Sequence, residues 1–158
     1  MLKVGDIAPA FNLLGVDEKG SELEFSLKSF SGKRVVLYFY PRDSTPGCTT
    51  EACDFRDNLA RVKKTNAIIL GISPDSPKSH LRFQEKQNLN FPLLSDPDKK
   101  IAELYGAYGE KKSFGKTTLG IIRSTFIIDA SGKVEKIWRK VKVKGHASEV
   151  LLALENGE

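Results

Sequence analysis

The chain has 158 residues, is 40% hydrophobic and 28% charged, and carries a formal net charge of +5. That is the composition of an ordinary soluble globular protein, long enough for one domain (1–158) with a core that needs no staples. No apolar run approaches the ~20 residues that span a bilayer. Met1-Leu2-Lys3-Val4-Gly5-Asp6 has no apolar signal-like region, so a cytoplasmic location is expected.

The basic residues are scattered and interrupted by acidic ones. The densest basic stretch, Lys136 to Lys144, interleaves Ile137, Trp138, Val141 and Val143, the pattern of a half-exposed strand rather than of a phosphate-binding face. No nucleic-acid partner is therefore expected. The two cysteines, Cys48 and Cys53, do not make a disulfide framework, and a close pair in a reducing compartment reads as catalytic, redox-active or metal-binding.

In chain order, Phe11-Asn12-Leu13-Leu14 and Leu23-Glu24-Phe25 flank a glycine-containing turn and predict a hairpin. Ser26 to Phe30 fits a single helical turn. Val35 to Tyr40 is too apolar for a one-sided sheet and predicts a central strand covered on both faces, ended by Pro41. From Pro46 onward Ala52, Phe55, Leu59 and Val62 recur at helical spacing. Thr45 is placed as the N-cap and Pro46 at the first helical position. Asn66 closes that segment before a second apolar run, Ala67 to Ile72. Ser76-Pro77 opens another helix, Phe91 to Leu94 is a short extended piece, and Asp96-Pro97 starts a brief helix around Ile101, Ala102 and Leu104. Residues 106–120, rich in glycine and lysine, read as a loop. Thr125 to Asp129 is a third buried strand, Ala130 to Lys133 a turn, Val134 to Val143 a further strand, and Ala147 to Leu154 a closing helix. A βαβ unit followed by ββα predicts a thioredoxin-like α/β fold with an N-terminal hairpin and an insertion at about residues 75–119.

This order puts Cys48 where a buried strand hands over to a helix N-terminus, whose unpaired N–H groups favour an anion. An ordinary thiol is only about 3% ionised at pH 7, and surroundings of this kind raise the thiolate share. If the target is an O–O bond, attack also needs groups that stabilise charge on the departing oxygen. The Thr45 hydroxyl and the N–H groups of Gly47 and Cys48 are placed to point into one small space. Cys53 lies five residues further on. On an ideal helix that spacing separates the Cα atoms by roughly 8.7 Å, beyond the ~7 Å limit for a disulfide. If both cysteines are helical, a bond between them requires that turn to unwind.

Pro41-x-x-x-Thr45-x-x-Cys48 resembles the active-site motif of peroxiredoxins. The wider string Tyr40 to Asp57 resembles the bacterioferritin comigratory protein (peroxiredoxin Q) subfamily, as do Gly71 to Ser76, Phe91 to Asp96 and Arg123 to Asp129. The resemblance implies a thiol peroxidase. Cys48 would be the peroxidatic nucleophile, reducing hydrogen peroxide or an organic hydroperoxide and becoming a sulfenic acid. Cys53 would be the resolving cysteine, condensing with it to an intramolecular disulfide. A thioredoxin-like dithiol would restore both thiols. Thr45 would hydrogen-bond the peroxide, Pro41 would shield the sulfenic acid, and Arg123 would hold the thiolate and polarise the substrate. Arg123 also precedes a buried strand, where a permanent cation needs an anionic partner. Glu51 is the candidate to orient it, with a solvent-exposed first-turn glutamate as the alternative. No metal or other cofactor is expected. The state expected is a monomer, with a homodimer as the alternative.

Three other classes fit less well. A thioredoxin-like disulfide reductase would show Cys-x-x-Cys and a proline where Arg123-Ser124 stands. A metal-binding protein would need ligand spacing that two cysteines and the distant His80 and His146 do not give. Both histidines read as surface or satisfied side chains, and Trp138 and Tyr40 as packing. A nucleic-acid-binding module would need an aromatic-basic motif.

Overall fold

A computed structural model describes residues 1–157, apart from the Ser113 side chain. Glu158, the last residue of the expected 1–158 span, lies outside the described residues. The N-terminal hairpin pairs β1 (Asn12–Val16) with β2 (Glu22–Ser26), and a 3-10 turn follows at Leu27–Phe30. The chain continues through β3 (Arg34–Phe39), α1 (Pro46–Lys63), β4 (Ala67–Ser73) and α2 (Pro77–Gln87). Next come β5 (Leu93–Ser95), α3 (Lys100–Tyr105), β6 (Tyr108–Ser113) and β7 (Lys116–Ile121). The chain closes with β8 (Ser124–Ile128), β9 (Val134–Trp138) and α4 (His146–Asn156).

A seven-stranded sheet runs β2-β1-β5-β4-β3-β8-β9. β3, α1 and β4 form the parallel βαβ unit, and β8, β9 and α4 form the ββα half, so the fold is thioredoxin-like. Both faces of β3 are covered, because its side chains alternate and all that alternate are apolar. Val36, Tyr38 and Tyr40 pack under α1, α2 and α4, with Phe55, Phe83 and Val150 among their partners. Val35, Leu37 and Phe39 join Phe11, Phe126 and Tyr105 on the opposite face.

The insertion is more integrated than its sequence suggests. Its strand β5 lies parallel to β4 and antiparallel to β1, so it carries the N-terminal hairpin into the main sheet. Gly15 permits that junction: a β-carbon there would sit 2.5 Å from the Leu93 carbonyl oxygen. On β4, Gly71 makes room for the Tyr38 ring, which would come within 3.0 Å of an added β-carbon.

Two expectations are corrected. Residues 106–120 are not a loop but mostly the β6–β7 hairpin, turned by Phe114 and Gly115, both with positive φ. Its strands show no hydrophobic alternation because β7 is exposed along most of its length, and Gly109 faces Gly120 across the ladder. The strand expected over Val134 to Val143 ends at Trp138, since Lys140 turns left-handed with φ 52°. Val141 then returns to donate its N–H to the Arg123 carbonyl at 2.9 Å.

Candidate active site

β3 ends at Phe39, and Pro41 to Thr45 make the turn that delivers Pro46 to the first position of α1. Ser44 sits at φ 62°, a conformation that reverses the chain sharply at the cost of local strain. Thr45 is the N-cap by position, yet its side chain makes no capping bond. Its hydroxyl donates instead to the Arg42 carbonyl at 2.9 Å. Pro41 is half-buried at the start of the turn. Cys48 lies in the first turn of α1 with only 2% of its surface exposed.

Arg123 reaches this thiol from the short connection between β7 and β8. Its Nη2 lies 3.4 Å from Cys48 Sγ, and its Nη1 donates to Glu51 Oε1 at 2.5 Å. Gly47 lines the guanidinium in the same turn, where a β-carbon would sit 3.4 Å from Nη2. Glu51 is 1% exposed, so the alternative of a solvent-exposed glutamate is not what the fold places there. It lies one helical turn after Cys48 on the buried face of α1.

Burial raises the Glu51 carboxyl to about 7, against the pull of Arg123. Burial works against the Arg123 charge as well, but Glu51 and Cys48 together hold its pKa above the ordinary arginine value. Glu51 Oε2 and the Tyr38 hydroxyl are buried with no hydrogen-bond partner among the described residues. Burial, and then Glu51, Cys48 and Asp43, push the Tyr38 phenol well up.

Beyond Arg123 the site opens into a cleft of about 630 Å³ lined by Glu110, Lys111, Lys112, Ile122, Lys140 and Val141. The β6–β7 hairpin supplies the two adjacent lysines. Burial lowers the Lys111 ammonium pKa and Arg123 adds to the effect, while Cys48 opposes it. Lys111, Lys112, Arg123 and Lys140 outnumber Glu110 in its lining, so the cleft is cationic.

Cys53 is also in α1, half-buried, and both cysteines are free thiols. Cys53 Sγ makes only a weak contact, 3.6 Å from Gln87 Oε1 on α2. Arg56 Nη1 donates to the Gln87 carbonyl at 2.6 Å and ties the same stretch of α1 to the end of α2.

The fold therefore gathers Gly47, Cys48, Glu51 and Arg123 at one point, keeps the Thr45 hydroxyl on the Arg42 carbonyl, and leaves Cys53 on the α2 side of the same helix. His80 and His146 are both buried and both hydrogen-bonded. Lys111 and Lys112 carry no signal in the sequence, because nothing in a polar, loop-like stretch points it at Arg123. Nothing in the sequence gives Asp43 or Asp75 a role, although both take part in one hydrogen-bond network beside the end of β3. Among the described residues, no three His, Cys, Asp or Glu side chains gather as a metal-ligand set. No helix there is long and apolar enough to cross a membrane.

Comparisons with known proteins identify the family. Residues 4–137 match the model of the AhpC/TSA family. Peroxiredoxin Bcp of Bacillus subtilis is 48% identical over 155 residues, covering 98% of this chain and 96% of that protein. Peroxiredoxin Bcp of Escherichia coli is 48% identical over 150 residues, covering 95% and 94%. Among solved structures, a Xanthomonas campestris bacterioferritin comigratory protein studied for alkyl peroxide reduction superposes with a TM-score of 0.85. It is 43% identical, with 98% of this chain and 96% of that chain covered. Peroxiredoxin Q of the same organism gives a TM-score of 0.86 at 43% identity, covering 99% and 97%. A thiol at a helix start, a guanidinium in contact with it and likeness over nearly the whole chain lead to one conclusion: the chain belongs to the AhpC/TSA family and is a thiol peroxidase of the Bcp, or peroxiredoxin Q, type.

Proposed function

We propose that Cys48 is the peroxidatic nucleophile, that Cys53 resolves its sulfenic acid as an intramolecular disulfide, and that a thioredoxin-like dithiol restores both thiols. The observation that carries this reading is the contact of Cys48 Sγ with Arg123, itself paired with the buried Glu51. A guanidinium fixed in this way stays in place to stabilise charge on a departing oxygen.

In the first step the Cys48 thiolate attacks the terminal oxygen of hydrogen peroxide or an organic hydroperoxide. An S–O bond forms, the O–O bond breaks, and the leaving oxygen takes a proton to depart as water or an alcohol. Thr45 and the N–H groups of Gly47 and Cys48 line the space in which that oxygen develops charge, and Pro41 limits access of water to the sulfenic acid. In the second step the Cys53 thiolate attacks Cys48 Sγ. The S–S bond forms, and hydroxide leaves with a proton as water. The external dithiol then reduces the disulfide through a mixed disulfide and is itself oxidised.

The test is peroxide consumption coupled to NADPH through thioredoxin reductase and thioredoxin. Cys48→Ser is expected to abolish turnover. Cys53→Ser is expected to give one sulfenate-forming event per chain and little recycling. Undiminished activity in Cys48→Ser overturns the mechanism. Full turnover in Cys53→Ser removes Cys53 from it.

A further inference from the structure

A group of polar side chains that plays no part in the chemistry above converges on Asp43, five residues before Cys48. Its carboxylate is nearly inaccessible, with 3% of the side chain exposed. Oδ1 accepts the Tyr40 hydroxyl at 2.6 Å, Oδ2 accepts the Ser79 hydroxyl at 2.9 Å, and His80 Nδ1 lies 2.7 Å from Oδ2. His80 is completely buried, and its Nε2 lies 2.8 Å from the carbonyl oxygen of Leu94 on β5.

The proton count follows from the partners. A carbonyl can only accept, so Nε2 carries a hydrogen. An ionised carboxylate can only accept, so Nδ1 carries one as well. With Asp43 ionised, both ring nitrogens donate and the ring is the cation of a buried pair. Phe83, in the next turn of α2, and the Tyr40 ring are also buried beside this pair, so no solvent stands in for either partner.

The backbone of Asp43 is tied down too. Its N–H donates to Asp75 Oδ2 at 2.7 Å, and that oxygen also accepts the Ser73 hydroxyl at 2.7 Å. The next residue, Ser44, is the left-handed one. A non-glycine residue in that region persists only where its surroundings over-determine it, and the anchors on Asp43 supply that constraint. We propose that Asp43 and His80 are positioning residues: as a buried charged pair they hold the Arg42–Thr45 turn in the geometry that presents Thr45 and Cys48 to peroxide, without touching the substrate. This rests on Cys48 being the nucleophile.

The experiment measures the rate of sulfenate formation on Cys48 in a Cys53→Ser background, by dimedone trapping and mass spectrometry, per folded molecule. His80→Leu and Asp43→Ala are expected to slow this step about 10- to 100-fold, the scale of a misplaced reacting group. Asp43→Asn is expected to recover most of the rate lost in Asp43→Ala, because the amide accepts from Tyr40 and donates to a now neutral ring. Nitrogen-15 spectra of labelled histidine supply a readout that a merely structural role would not move. His80 is expected to show two protonated ring nitrogens in the wild type and one in Asp43→Asn, with His146→Gln assigning the signals. In chains that keep Cys53, the disulfide-forming step is expected to be no slower in His80→Leu. A loss smaller than fivefold in His80→Leu, or a singly protonated ring in the wild type, overturns the inference. If His80→Leu fails to fold, the spectra and the Asp43 variants still decide it. Absence of Cys48 sulfenate in the unsubstituted background overturns the nucleophile assignment and this inference with it. A normal rate there beside an unimpaired His80→Leu overturns this inference alone.

Discussion

Replacing Glu51 by glutamine sets stability against activity in a single side chain. Burial lifts the Glu51 carboxyl from an ordinary 4.5 to about 7. A carboxyl with a raised folded-state value favours the folded state at low pH. That contribution is fully present below 4.5 and is lost as pH rises through about 7. The shift corresponds to about 3 kcal/mol of stability lost between pH 4 and pH 8. Glutamine carries no charge to bury, and its amide oxygen can still accept from Arg123 Nη1. Urea unfolding at both pH values is the assay, and the difference between the two proteins cancels groups they share. The variant is expected to match the wild type near pH 4 and to exceed it by about 3 kcal/mol at pH 8. Activity moves the other way. The ion pair with Arg123 becomes a bond from a charged donor to a neutral acceptor, which holds the guanidinium less firmly, and a loss near 1.4 kcal/mol is about tenfold in the peroxide step. A stability difference that does not grow with pH refutes the argument, because the buried carboxylate would then cost nothing.

Arg123→Lys keeps a positive charge but cannot hold Glu51 and Cys48 at once with a planar fork. It is expected to slow sulfenate formation about 100-fold in stopped-flow assays while leaving the fold intact by circular dichroism, and a loss below about tenfold would contradict the assigned role. Gly15→Ala places a β-carbon 2.5 Å from the Leu93 carbonyl oxygen. It is expected to cost about 1–3 kcal/mol in urea unfolding, and a cost under about 0.5 kcal/mol would show that the β1–β5 junction yields easily. Tyr38→Phe removes a buried hydroxyl that has no partner. Stability is expected to stay level or rise by up to about 1 kcal/mol, and a loss of that size would reveal a bond at the hydroxyl.

The parts of the fold legible in the sequence are those where one physical signal dominates. Val35 to Tyr40 could only be a strand covered on both faces, and Ala52, Phe55, Leu59 and Val62 could only line one side of a helix. The β6–β7 hairpin gave no such signal, because a polar, largely exposed ribbon with paired glycines has the composition of a loop. Glu51 shows another limit. Its spacing from Cys48 placed it one turn along α1, but only the arrival of Arg123, distant in the chain, decides that this turn is buried. Asp43 and His80 are harder still. Their pairing depends on α2 packing over the end of β3, a tertiary fact with no local pattern in either segment. A polar residue beside a motif can be noticed in the sequence, but its partner becomes visible only in the fold.

The proposed redox cycle asks α1 to do two incompatible things. As a helix it separates Cys48 and Cys53 by roughly 8.7 Å between Cα atoms, and a disulfide needs less than ~7 Å. The structure shows where the helix can give way. Its first turn has no side-chain cap and no acidic residue to favour its N-terminus, and a missing cap alone is worth about 1 kcal/mol. Cys53 is held by one weak sulfur contact. Cys48, Glu51 and Ala52 are buried as well, but the large apolar side chains of the helix, Phe55, Leu59 and Val62, come after them and anchor the later turns in the core. The break is therefore expected between residues 48 and 54, with the later turns intact. Glu51 lies inside that segment, so in the proposed cycle forming the disulfide would also pull the carboxylate from Arg123. Amide hydrogen exchange compared between the reduced and oxidised protein measures this directly. Protection is expected to fall across residues 48–54 on oxidation and to persist from Phe55 to Lys63. Equal protection in the two states would mean that the bond forms without unwinding, which the helical spacing does not allow.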